Sequence, residues 1–142
     1  FRVDINTKTG TVSVNGRLVD LSVGRASLCV LIIWASVFGS KRGVPKYDYV
    51  TEEQREFWQQ VYQKIYAIMK NDAMGHYESK SIFNTFKNRL SEIKKQINEV
   101  TDVKIIGEET YDSCKYIRFT LMSQNVFVDN VPIEDNTIFK NL

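Results

Sequence analysis

Between Glu78 and Val100 the chain reads ESKSIFNTFKNRLSEIKKQINEV. Ile82, Phe83, Phe86, Leu90, Ile93 and Ile97 recur there at steps of three and four residues. That period gathers side chains along one face of an α-helix, and it predicts a helix over residues 79–98. The opposite face carries Lys80, Asn84, Lys87, Asn88, Ser91, Lys94 and Lys95. A helix of this kind buries its apolar stripe and shows water a cationic, amide-bearing side. Such a side suits phosphates and base edges, and it equally suits plain solvent.

The 142 residues suffice for one domain with its own core. A net charge of +2 is too small by itself to imply a nucleic-acid or membrane partner. Two cysteines, Cys29 and Cys114, make no disulfide framework. Cys29 falls in an apolar helical run and reads as a small core residue, so a reducing, cytoplasmic setting is expected. The longest apolar run, Leu28 to Phe38, is interrupted only by Ser36. It falls short of the roughly 20 residues a membrane span requires, so no membrane partner is expected. The chain opens at Phe1 rather than at a methionine, the start expected of a piece of a longer protein.

Residues 3–21 read as three short strands. Val3 and Ile5, then Val12 and Val14, alternate with polar residues on either side of Thr7–Gly10. Asn15-Gly16 is the dipeptide that best tolerates positive φ at both centres of a tight hairpin. A two-residue turn there sets Val14 opposite Arg17 and Val12 opposite Val19. Ser22 is then a plausible N-cap for a helix from Val23 to Phe38, apolar nearly all round and therefore central. Residues 40–50 read as an exposed loop bearing Lys41, Arg42 and Lys46.

Thr51 and Gln54 form a capping-box pattern, and Glu52 and Glu53 suit the positive end of a helix running to about Lys70. Its expected stripe is Phe57, Trp58, Val61, Ile65, Ile68 and Met69. Beyond the helix at 79–98, Val103–Ile106 and Tyr116–Leu121 read as strands joined by a polar loop over 107–115. Residues 122–142 read as a tail with a short edge strand and partial disorder.

This order of elements, carried by TGTVSVNGRLVDLS (9–22), the apolar helix after it, and SIFNTFKNRLSEIKKQI (81–97) followed by VKIIG and YIRFTL, resembles the winged helix-turn-helix. The nearer likeness is to the response-regulator effector (OmpR/PhoB-like) type. The resemblance covers roughly residues 3–121. It implies an α+β winged helix with an N-terminal antiparallel β-meander, three helices and a C-terminal β-hairpin. By that likeness the helix at 79–98 enters the major groove of double-stranded DNA and residues 107–115 form the wing. The chain departs from the family where Lys115, not glycine, precedes Tyr116, and where Glu108, Glu109 and Asp112 put acids in the wing.

An enzyme is not expected. The single histidine, His76, has no partner pattern, no Cys/His spacing fits zinc, and no glycine-rich phosphate loop is present. No metal or cofactor is expected either. Between His76 and Lys95, five cations (Lys80, Lys87, Arg89, Lys94, Lys95) face two acids (Glu78, Glu92), a local +3. The expected function is therefore DNA binding within a regulatory protein, as a homodimer. Lys80, Asn84, Lys87 and Asn88 would face the bases, and Lys94, Lys95, Lys41 and Arg42 the phosphates. The competing expectation is an interaction or dimerisation module appended to a sensor domain. It rests on Trp34, Phe57, Trp58, Tyr62 and Tyr66 as aromatic surface beyond what the helices need to bury.

Overall fold

Tight turns set the frame of the N-terminal sheet. The computed structural model describes residues 1–40, 42–46, 50–71 and 81–142. Strands β1 (Val3–Asn6), β2 (Thr11–Val14) and β3 (Arg17–Leu18) form the expected meander. Asn15 and Gly16 both hold positive φ, 50° and 80°, and the register pairs Val14 with Arg17. In the first turn Asn6 Oδ1 accepts from the backbone of Lys8 and Thr9. Gly10, at φ 67°, has Met69 O where a Cβ would stand, 2.4 Å away. Only glycine lets this turn lie so close to the end of the second helix.

Helix α1 (Val23–Phe38) follows, with the Ser22 hydroxyl accepting from Arg25 N at its start. Ten consecutive residues, Ala26 to Ala35, are buried. A helix apolar on every side can rest only inside a core, and α1 meets α2, α3, β2, β4 and β6. Its two inner serines turn back on their own helix, Ser27 to Val23 O and Ser36 to Ile32 O. Ser36 Oγ also accepts from Phe119 N at 2.8 Å, which ties α1 to the later hairpin.

Helix α2 (Glu52–Lys70) opens on the capping box read from the sequence, with both Thr51 and Gln54 bonds formed. Its stripe differs from the expected one. Phe57 is 51% exposed and Ile68 only half-buried, while Tyr62 is fully buried. Asn71, in the left-handed region, ends the helix. Helix α3 (Ile82–Asn98) is capped by Ser81, and it buries the six residues of the predicted stripe.

Elsewhere the structure corrects four expectations. Residues 40–50 are not all loop: β4 (Val44–Pro45) pairs with β6. Gly43 permits this, because a Cβ there would meet Ile117 O at 2.6 Å. The hairpin has no long tip. Strands β5 (Ile106–Tyr111) and β6 (Cys114–Phe119) run up to a two-residue turn. Asp112 and Ser113 both hold positive φ there, a geometry that closes a twisted ladder directly. Residues 103–105 precede the ladder rather than belonging to it.

The segment 122–142 is not a partly disordered tail. Strand β7 (Val126–Val128) lies inside the first sheet, parallel to β1, with Val3 opposite Val126 and Ile5 opposite Val128. Those four valine and isoleucine side chains are buried, so the pairing closes the core. The edge position falls instead to β8 (Val131–Pro132), after a turn at Asp129-Asn130. A short helix α4 (Thr137–Lys140) docks through Phe139, whose carbonyl accepts from Trp34 Nε1 at 2.7 Å. Among the described residues the fold is thus α+β, four helices with a five-stranded sheet, β3-β2-β1-β7-β8, and a three-stranded one, β4-β6-β5. No described helix is long and apolar enough to cross a membrane.

Candidate nucleic-acid interface

The exposed face of α3 is held from both of its ends. Near its middle, Arg89 donates to Tyr62 Oη at 2.9 Å, and Tyr62 Oη donates to Gly24 O at 3.2 Å. One chain of bonds thus runs from α3 through α2 to the first turn of α1. Burial pushes the Tyr62 phenol pKa up, and the Arg89 charge and hydrogen bond oppose that push. At the C-terminal end, Arg17 on β3 donates to Val100 O and Glu99 O, where a helix presents unpaired carbonyls and negative potential. At the N-terminal end, Ile82 N donates to Gln59 Oε1 of α2 at 2.8 Å.

With the stripe pinned inward, Asn84, Lys87, Asn88, Ser91 and Lys95 are exposed and Lys94 is half-buried. At 3.6 residues per turn these positions fall within an arc of about 120°. No hydrogen bond or ion pair among the described residues engages the side chains of Asn84, Lys87, Asn88 or Lys95. Lys41 and Lys80 lie outside the described residues, as does His76. Arg42 is exposed but stands apart. It borders a cavity with Arg118 and residues of the C-terminal segment, and no α3 residue lines that cavity.

Along the N-terminal half of the face the surroundings change in charge. Asn84 shares a shallow depression with Glu52, Glu56 and Arg55 of α2, a net of one negative charge. Asn88 shares another with Arg25, Arg89 and the start of α1. Arg25 was not among the sequence-read candidates, because only the packing of α1 against α3 brings its first turn there.

The hairpin acids are engaged within the protein. Glu108 pairs with Lys46 at 3.0 Å, and Glu109 pairs with Arg118. The hydrogen bond from Lys46 holds the Glu108 carboxyl below its ordinary pKa, and the charges of Lys46, Lys94 and Lys115 add to this. Lys94 shares a depression with Ile105 and Ile106, where the hairpin begins.

The aromatic surface expected of α1 and α2 is mostly interior. Trp34 and Trp58 meet edge to face at 6.3 Å and are each 8% exposed. Phe57 is the member of that group left open, against Trp58 at 5.1 Å. Cys29 is buried and its thiol pKa is pushed up to about 12 by that burial, which leaves it protonated and inert. No family model matches the chain, and no curated protein or solved structure matches it.

Proposed function

We propose that this chain is a winged-helix domain that binds double-stranded DNA by laying α3 in the major groove. Two arrangements support the fold reading. From α1 onward the elements run helix, strand, helix, helix, hairpin, and the lone strand β4 pairs with β6 rather than β5. Lys94, Ile97 and Asn98 of α3 also border one depression with Ile106 at the start of the hairpin.

The observation that carries the functional reading is the unpaired face of Lys87, Asn88, Ser91 and Lys95 on a helix whose other side is fully buried. Asn84 and Asn88 have the donor and acceptor pair that adenine edges require. Lys87, Lys94, Lys95 and Arg25 supply charge for phosphates. The Glu108–Lys46 and Glu109–Arg118 pairs reduce the repulsion that the hairpin would otherwise exert on a phosphate backbone. In this reading the domain acts in a regulatory protein, as a homodimer on two half-sites.

The test is fluorescence anisotropy of a labelled random-sequence duplex across a salt series. Binding should weaken steeply with salt, and Lys87→Glu combined with Lys95→Glu should abolish it. Equal affinity in that variant, or no binding at low salt, contradicts the reading.

One observation favours a second reading. Phe57, 51% exposed, borders a cavity of about 400 Å³ with Trp34, Phe38, Trp58 and Tyr116. A protein-interaction module would use that face. Phe57→Ala should then lower the mass seen by light scattering, and an unchanged mass counts against it.

A further inference from the structure

Among the described residues the two sheets end on four edge strands. Three of them, β3, β4 and β8, are two residues long, shorter than a strand needs to hold a neighbour. The fourth, β5, runs for six residues, Ile106–Tyr111, without a proline. Thr120 N donates to Ile105 O, which fixes the alternation of the antiparallel ladder. Gly107, Glu109 and Tyr111 therefore turn their backbone groups to β6, and Ile106, Glu108 and Thr110 turn theirs to the free side. No described strand pairs with that side. A row of unpaired amides and carbonyls is a template for another strand.

A slot of about 190 Å³ lies where this edge begins, lined by Ile97, Ile105 and Ile106 together with Lys94, Asn98 and Lys104. Small-molecule pockets start at about 300 Å³, so the slot suits one aliphatic side chain rather than a whole ligand. No acid among the described residues lines it, and neither lysine makes an ion pair among them. The acids of the strand, Glu108 and Glu109, are already paired with Lys46 and Arg118. A second copy of β5 is a poor occupant of the edge. Symmetric antiparallel registers centred on residue 108 or 109 set Glu108 or Glu109 opposite itself, and like charges directly opposed are destabilising.

We propose that β5 takes up, as an added antiparallel strand, the C-terminal end of a partner chain that finishes in an aliphatic residue. An antiparallel strand ends where β5 starts. Its last side chain then enters the slot, and its terminal carboxylate meets Lys94 and Lys104, the opposite charge that these lysines lack. Hydrogen bonds to the backbone of Ile106, Glu108 and Thr110 supply affinity, and the slot supplies specificity. A basic residue two places before the end falls opposite Glu108. Lys94 is the one contact shared with the face proposed for DNA, and the binding needs no DNA, so the two readings fail separately.

The experiment is fluorescence anisotropy of the labelled hexapeptide Gly-Thr-Thr-Lys-Thr-Val, free at its C-terminus, titrated with the full chain in the absence of DNA. Saturable binding with a Kd below about 0.5 mM is expected. The same peptide amidated at its C-terminus should bind about tenfold or more weakly. Lys104→Ala, a change at an exposed side chain, should have a similar effect. Thr110→Pro removes an outward N–H that the ladder does not use, a change an edge strand tolerates, and should weaken binding several fold. An amide shift map should move Ile106, Glu108 and Thr110. No saturation by about 0.5 mM would overturn the proposal. So would equal affinity for the amidated peptide, or a map that moves β3 or β8 in place of β5. A chain that is already dimeric, and that Thr110→Pro makes monomeric, would put a second copy on the edge and overturn it too.

Discussion

Helices α1 and α3 are of nearly equal length, 16 and 17 residues, and share one core, yet they are built to opposite ends. α1 has ten successive residues buried, so almost any change of side chain there changes packing. α3 is buried only at its stripe, which fixes where the helix lies and leaves the composition of its other face unconstrained by folding. A lysine-and-asparagine face that the fold does not require is where function can be written. The contrast explains why the proposed DNA contacts fall on α3, and why α1 contributes only its first turn, through Arg25.

The contrast can be broken by substitution. Leu31→Ala in α1 and Phe86→Ala in α3 both remove fully buried side chains and should each lower stability by about 2 to 5 kcal/mol in urea denaturation. A near-neutral Phe86→Ala would mean that α3 is not anchored as described. Tyr62→Phe keeps the ring and removes the hydroxyl between Arg89 and Gly24. It should cost about 1 kcal/mol, with faster amide exchange in α3 if that link orients the helix.

Smaller still is the effect of acid on the hairpin. The Glu108 carboxyl has its pKa lowered in the folded chain, chiefly by Lys46. Its contribution is therefore present above the unfolded pKa and lost as pH falls through the lowered folded value. Acid titration of the wild type should loosen the β4–hairpin contact, and Lys46→Ala should reduce that dependence, leaving the part due to Lys94 and Lys115. The smallest change in stability is expected from Lys87→Ala, within about 0.5 kcal/mol. The same variant should lower the salt slope of DNA binding by about one unit.

What the sequence made legible follows from the range of each signal. The three long helices announce themselves by period and by local caps, as in the Thr51–Gln54 box. Asn15-Gly16 was readable because glycine marks positive φ. The turns at Asp112-Ser113 and Asp129-Asn130 adopt the same geometry without a glycine, and they were hidden behind polar composition. That is why a two-residue hairpin turn looked like a long wing.

Strand β4 sits beside Gly43 and includes Pro45, residues that read as loop, and it exists only because β6 accepts it. The parallel pairing of β7 with β1 joins the two ends of the chain, and no local pattern encodes a partner that far away. The site divides in the same way. The face of α3 was visible as a helical stripe, whereas Arg25 beside it and the slot at the free edge of β5 arise only from packing.

The most direct test of the central claim is an amide chemical-shift map of the labelled chain titrated with a short random duplex at low salt. Perturbations should concentrate at Asn84, Lys87, Asn88, Ser91 and Lys95, with a lesser set at Arg25 and the Asp112-Ser113 turn. A map without perturbation on α3, or one centred on Phe57, would contradict the account.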